Sequence, residues 1–206
     1  VKIFERTDGK IMPVKVAVIS DGDVPSREYL KENPPEVYYQ ELDNGEVAIE
    51  TEKKRFITLI KSFGQATSSI PAKTKLREEH INKYRDFVKQ RKTESEYIPK
   101  NNSIRVFTNE WTLEDNLANS VLKDDLLSAM NKAKELAGIS MDLPDDCSVA
   151  YRLMKPFLGN LSKALTAQFL AKALLEMKNT LRETIENDDQ LKYLVNAIKF
   201  ACCKDI

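Results

Sequence analysis

The sequence predicts an α/β fold, a parallel sheet flanked by helices with a helical insertion, and three observations carry that expectation. Val14, Val16, Ala17, Val18 and Ile19 make a short apolar run that ends in the polar turn Ser20-Asp21-Gly22-Asp23. That is the pattern of a buried strand in a parallel sheet. Ile104, Arg105, Val106, Phe107 and Thr108 follow Ser103 with alternating polarity and many β-branched or aromatic residues, the mark of a second strand. Beyond it, Leu113, Leu117, Val121, Leu122, Leu126, Met130, Ala133 and Leu136 recur at helical spacing up to Gly138, which suits a helix end. Strand, polar turn and helix in succession is the unit from which parallel sheets are assembled.

Between the two strands the pattern changes. Residues 32–43, with Pro34, Pro35 and the pair Tyr38-Tyr39, read as an extended connector. Residues 51–63 and 74–92 carry helix-compatible patterns separated by a turn containing Ser68, Ser69 and Pro71. Residues 44–100 are therefore expected to form a mainly helical insertion that closes with a turn at 99–102. After the second strand and its helix, Leu161, Leu165, Phe169, Leu170, Leu174 and Met177 mark another amphipathic helix, and residues 191–200 a last one.

The chain has 206 residues, 31% charged and 42% hydrophobic, enough for one sizeable core. No apolar run approaches the roughly 20 residues that span a bilayer, and no signal-peptide pattern opens the chain, so no membrane and a cytoplasmic setting are expected. Val1 is not a methionine and stands close to the first strand, so the sequence reads as part of a longer protein. Cys147, Cys202 and Cys203 lack Cys-x-x-Cys spacing and read as small buried or half-buried hydrophobes. His80, the only histidine, lies among charged residues and reads as part of a solvated helix face. Ser-His-Asp catalysis and His-rich zinc chemistry are thereby disfavoured, and no Gly-rich phosphate loop is present to bind ATP.

Charge is balanced overall but unevenly placed: positions 1–50 hold 6 Lys+Arg against 11 Asp+Glu, while positions 51–100 hold 13 against 6. An acidic site beside a basic segment suits a metal-dependent enzyme that grips a polyanion such as DNA. The plainer account of residues 73–92 is a solvated helix face.

Ligands of open parallel sheets bind outside the carboxyl ends of the strands. Asp21 and Asp23 stand at such an end, where two nearby carboxylates either repel each other or share a hard cation, Mg²⁺ or Mn²⁺, and with it phosphate chemistry. Parallel pairing puts the end of the second strand on the same edge, so Glu114 is expected to join them as a third metal ligand. Asp-Gly-Asp is also an ordinary turn, and Thr112 with Glu114 is also an ordinary helix start. Lys163 can reach a phosphate as a point charge, although helix lysines mostly face solvent. Trp111 stands at the mouth of this site and is expected to pack in the core.

Taken in order, Val14-Lys15-Val16-Ala17-Val18-Ile19-Ser20 with Asp21-Gly22-Asp23, then Arg105-Val106-Phe107 followed by Thr112-Leu113-Glu114 and Asn116-Leu117-Ala118, then Lys163-Ala164-Leu165-Thr166-Ala167-Gln168 resemble the C-terminal TOPRIM domain of OLD-family (overcoming lysogenization defect) ATP-dependent endonucleases. The resemblance covers most of the chain outside the insertion. It implies a TOPRIM-like (Rossmann-like) nuclease domain over 1–206, truncated at its N-terminus. It also implies two-metal hydrolysis of DNA and coupling to an ATPase domain of the same full-length chain, with anti-phage defence a role of some members. By position, Asp21, Asp23 and Glu114 match the family's metal ligands and Lys163 its catalytic lysine near the scissile phosphate. Family dimers form largely through regions absent from this chain. Asn109-Glu110-Trp111-Thr112 departs from the serine usually found before the later glutamate. Glu5-Arg6-Thr7-Asp8 imitates the family's earlier glutamate motif, but too few residues separate it from Asp21 for a crossover of about 10 to 12 residues plus strands. The true glutamate is expected upstream of Val1, and this chain alone is expected to be a poor nuclease or none.

Two other readings stay open. A haloacid-dehalogenase-like phosphatase would use Asp21 as nucleophile, with Asp145-Asp146 as a later metal pair. A non-catalytic helical interaction module would leave every one of these carboxylates in a solvated turn.

Overall fold

A computed structural model of the chain describes residues 14–65, 71–95, 103–140, 150–177 and 181–203. The expectations placed on Glu5, Ser68, Ser69, the turn at 99–102, Asp145, Asp146 and Cys147 lie outside those residues. In chain order the elements are β1 (Val16–Ser20), α1 (Arg27–Glu32), β2 (Glu36–Glu41), β3 (Val47–Glu50), α2 (Lys53–Ser62), β4 (Thr74–Lys75), a short 3₁₀ turn (Glu78–His80) and α3 (Ile81–Ser95). They continue with β5 (Ile104–Thr108), α4 (Leu113–Asn119), α5 (Lys123–Ala137), α6 (Ala150–Leu158), α7 (Lys163–Glu176), α8 (Arg182–Glu186) and α9 (Lys192–Ala201). They divide into two compact units, Val1–Asp23 with Glu96–Ile206, and Val24–Ser95.

In the first unit β1 and β5 pair in parallel, Val16 opposite Ile104 through Ser20 opposite Thr108. Both carboxyl ends therefore lie on one edge, as the strand–turn–helix pattern predicts. Among the described residues this parallel sheet has two strands. Helix α9 covers it, bringing Ala197 and Phe200 onto Phe107, with Ala17 and Tyr193 packed alongside. The expected burial of β1 is corrected: its residues are half-buried and Ile19 is 52% exposed. Among the described residues, two strands with α9 on them leave part of β1 to solvent.

The long helix expected from Leu113 to Leu136 is two helices. Past Asn119 the backbone N–H of Val121 donates to the Asp188 carboxylate at 2.8 Å and that of Leu122 to Ser120 Oγ at 3.1 Å. Those donors leave the helical ladder, so α4 stops and α5 starts afresh. At its far end α5 closes on Gly138, which takes φ 63° while its N–H and that of Ile139 return to the carbonyls of Glu135 and Lys134. A left-handed residue there favours glycine, as the sequence signals. Helix α5 packs on α7 and α6 on α4, burying Leu126, Met130, Ala133, Leu153, Met154 and Leu170. Trp111 is 8% exposed with its ring 6.5 Å from that of Tyr151, the core role expected of it. Cys202 and Cys203 are exposed free thiols beyond α9 rather than buried hydrophobes. No described helix is long and apolar enough to cross a membrane.

In the second unit, α2 and α3 occupy much of the segments expected to be helical, and they pack with a three-stranded antiparallel sheet, order β3-β2-β4, that the sequence reading lacks; its central strand β2 is the segment that reads as a connector. The hairpin turns at Asn44-Gly45, where Gly45 takes φ 80° and Asn44 Oδ1 accepts the Glu46 N–H at 3.0 Å. Alternation along the strands then sorts two small cores. Val37 and Ile49 join Leu30, Leu76, Ile81 and Tyr84, while Ala48 joins Leu42, Phe56 and Ile60. His80 is half-buried, with Nε2 2.7 Å from the Tyr39 hydroxyl, and is not part of a solvated face. Burial and the adjacent Glu41 carboxylate push the Tyr39 phenol up to about 12.

Candidate functional site

The loops that leave β1 and β5 are fastened to each other through two backbone N–H groups. The Gly22 N–H donates to Asn109 Oδ1 at 2.8 Å and the Asp23 N–H to the Trp111 carbonyl at 3.1 Å. A β-carbon on Gly22 would stand 2.2 Å from the Asn109 carbonyl oxygen and 2.3 Å from that of Glu110, so only glycine allows this approach. Asp23 holds φ 57°, a left-handed conformation that Asp tolerates better than most residues and that costs of order 1 kcal/mol.

This fastening carries Asp21 to the start of α4. Its Oδ1 accepts the Asn109 Nδ2 at 3.0 Å and the Leu113 backbone N–H at 3.1 Å. Thr112 caps the same helix through the Asp115 N–H, and Glu114 follows directly. The Glu114 carboxylate, 18% exposed, meets the Lys163 ammonium at 2.9 Å. Lys163 is the first residue of α7, placed there by the Ser162 cap on the Leu165 N–H. From α9, the Tyr193 hydroxyl lies 3.4 Å from Asn109 Nδ2. Burial raises that phenol, and the negative charges of Asp21 and Glu114 both add to the rise, against the Asn109 hydrogen bond that lowers it. One phenol thus lies within the field of both carboxylates.

Burial alone would raise the Glu114 carboxyl. That is the largest single effect, but the Lys163 hydrogen bond, the Glu114 backbone N–H, the Lys163 charge and the Thr112 hydroxyl together outweigh it, and the group ends below the ordinary carboxylate range. A depressed folded-state value means stability that is present above the unfolded value, about 4.3, and is lost as pH falls through the folded one. The stability difference between the wild type and Glu114→Gln is therefore expected in full at neutral pH, should begin to shrink only as pH falls below about 4.3, and should vanish only below the still lower folded-state value. Thermal melts of the two proteins from pH 7 to pH 3 measure it.

Asp21, Glu114 and Lys163 are thus brought to one edge of the parallel sheet. Asp23 adjoins them in the chain, yet among the described residues no three His, Cys, Asp or Glu side chains gather as a metal-holding group. The expected cage of Asp21, Asp23 and Glu114 is not preformed. Asp21, bonded to the Leu113 N–H, and Glu114, the next residue of α4, are hard oxygen donors that both act on the Tyr193 phenol, and Mg²⁺ is commonly held by one or two carboxylates with water and substrate oxygens completing its shell. The donor set fits a partly hydrated cation of that kind. Asn109 and Tyr193 escape the sequence reading. Asn109 is detectable as the first polar residue past β5, whereas nothing in the α9 pattern distinguishes Tyr193 from a packing aromatic.

The basic stretch 73–92 is partly committed to its own unit. Arg91 pairs with the buried Glu50 at 3.0 Å and with Glu52 at 3.5 Å, Arg85 donates to the Pro25 carbonyl at 2.9 Å, and Arg77 lies 3.6 Å from Glu41 and over the Tyr39 ring. Lys73, Lys75, Lys83 and Lys89 are exposed. Comparison with models of protein families, with curated proteins and with solved structures returned no match.

Proposed function

We propose that this edge is the hydrolytic site of a metal-dependent DNA endonuclease domain, of the TOPRIM kind that the motifs resemble, working with an ATPase domain of the same protein. The Glu114–Lys163 pair beside Asp21, at the carboxyl ends of two parallel strands, is the observation that carries the reading. It joins an anionic group able to attract a hard cation to a mobile cation able to attract a phosphate. A divalent ion held by Asp21 and Glu114 supplies charge neutralisation and an activated water. Lys163, 56% exposed on its side chain, has the freedom to turn from Glu114 to a phosphate oxygen. Asp21, held by two donors, keeps a fixed orientation while it does so.

The test is a Mn²⁺ titration of the chain, followed by incubation with supercoiled plasmid and Mg²⁺ or Mn²⁺. Binding that is lost in Glu114→Gln, with slow metal-dependent nicking, is the expected result, since two carboxylates hold a hard cation less firmly than a fuller set. No metal binding together with no nicking would overturn the reading. Phosphate release from a small monoester with a covalent phosphate on Asp21 would transfer the site to a phosphatase.

Lys163→Ala should separate the two roles of the pair. An ion pair with an exposed lysine is worth about 0–1 kcal/mol, so freeing Glu114 should tighten Mn²⁺ by up to about fivefold while nicking slows. Weaker Mn²⁺ binding in this variant would mean that Lys163 positions Glu114 rather than competing with the ion. In the second unit, changing Lys73, Lys75, Lys83 and Lys89 to Gln should lower the salt dependence of DNA binding, by about 0.9 in the log–log slope for each phosphate no longer neutralised. An unchanged slope would leave that stretch a solvated face.

A further inference from the structure

We infer that Asn109 is the positioning residue of this site, its side-chain amide setting the Asp21 carboxylate for the cation; the inference rests on the metal-site reading above. Thr108 pairs with Ser20 in the parallel register, so the next residue of β5's exit loop arrives opposite Asp21. The orientation of the amide is dictated chemically. Gly22 offers a backbone N–H, which only donates, so the amide oxygen must face it at 2.8 Å. The amide nitrogen then faces Asp21 Oδ1, which only accepts, at 3.0 Å. One side chain thereby fixes the main chain at residue 22 and the carboxylate at residue 21. The Leu113 N–H gives Oδ1 its second donor, and the Tyr193 hydroxyl stands behind the amide nitrogen at 3.4 Å.

No other common side chain of this size does both tasks. Aspartate would set a second carboxylate against Asp21, and serine or alanine is too short to span from Gly22 to it. Hydrogen-bonding partners of metal-binding carboxylates commonly contribute about 10–100-fold in metal affinity or activity. Asn109 has that relation to Asp21.

The experiment is calorimetric titration of Mn²⁺ into the wild-type chain, Asn109→Ala, Asn109→Ser, Tyr193→Phe and Asp21→Asn, each at a temperature well below its own melting point. Asn109→Ala and Asn109→Ser are expected to bind Mn²⁺ at least about tenfold more weakly while remaining folded by circular dichroism. Tyr193→Phe, which leaves both amide bonds in place, should stay within about threefold of the wild type. A purely structural Asn109 would lower the melting point and leave the affinity of the folded protein unchanged. Unchanged affinity in both Asn109 variants, with Asp21→Asn still deficient, overturns the role of Asn109 and leaves the metal site standing. Failure of both variants to fold would make Asn109 a clamp of the two loops and overturns it equally. No Mn²⁺ binding by the wild type, or full binding by Asp21→Asn, overturns the metal site and this inference with it.

Discussion

Replacing Gly22 with alanine is expected to lower the melting temperature of the first unit by roughly 4–24 °C and to abolish Mn²⁺ binding. The added methyl would lie 2.2 and 2.3 Å from the carbonyl oxygens of Asn109 and Glu110. Those are backbone atoms of a loop tied to β5, so no rotamer change relieves the overlap. The loops must separate, and separation breaks the Gly22 bond to Asn109 and the Asp23 bond to Trp111. Overpacking costs about 1–3 kcal/mol and each broken hydrogen bond about 0.5–1.5 kcal/mol. In a chain of this length, about 1 kcal/mol shifts the melting point by roughly 2–4 °C. Gly45→Ala is the control: φ is 80° but nothing lies within 4 Å of the new methyl, so only backbone strain of about 1 kcal/mol is expected, and in the second unit. Trp111, the only tryptophan, lies in the first unit beside the altered loop, and its fluorescence follows that unit alone. A Gly22→Ala protein that melts and binds Mn²⁺ like the wild type would show that the loops need no such approach.

What is legible in the sequence follows local rules. The apolar run into Asp21, the alternation into Thr108 and the capping residue Thr112 announce where strands end and a helix begins. Those limits put Asp21 and Glu114 at strand exits, and the parallel pairing that a strand–turn–helix pattern implies sets both exits on one edge. What stays hidden depends on partners remote in the chain. The break after Asn119 is made by Asp188, whose carboxylate takes the Val121 N–H. His80 leaves solvent because Tyr39, on a strand that reads as a connector, receives its ring. The β2–β3 hairpin does carry a local signal, Asn44-Gly45, but the two prolines before it point to a connector and mask the sheet. The expected metal cage is not preformed among the described residues for a related reason. Spacing places carboxylates on an edge, but which of them turn toward one another is decided by side-chain donors such as Asn109 and Lys163, and these exert no pattern on the sequence.

Asp21→Asn and Asp21→Ala are expected to part in stability while agreeing in function. A bare turn carboxylate would leave the fold untouched when removed, but Asp21 Oδ1 takes the first N–H of α4 and the amide of Asn109. Asparagine keeps an oxygen in that place and should cost at most about 1 kcal/mol, the charge once held near the start of the helix. Alanine removes the acceptor from both donors and should cost about 1–2 kcal/mol, in the range of a missing helix cap. Both discard the negative charge. Mn²⁺ affinity should therefore fall at least about 10–100-fold in each, no less than for loss of an outer partner, and metal-dependent nicking should disappear with it. Melts followed by Trp111 fluorescence, beside Mn²⁺ titration, distinguish the two effects in a single pair of proteins. Asparagine that binds metal as the wild type does would show that the carboxylate serves only to anchor α4. Alanine as stable as asparagine would show that Asn109 and Leu113 find water instead.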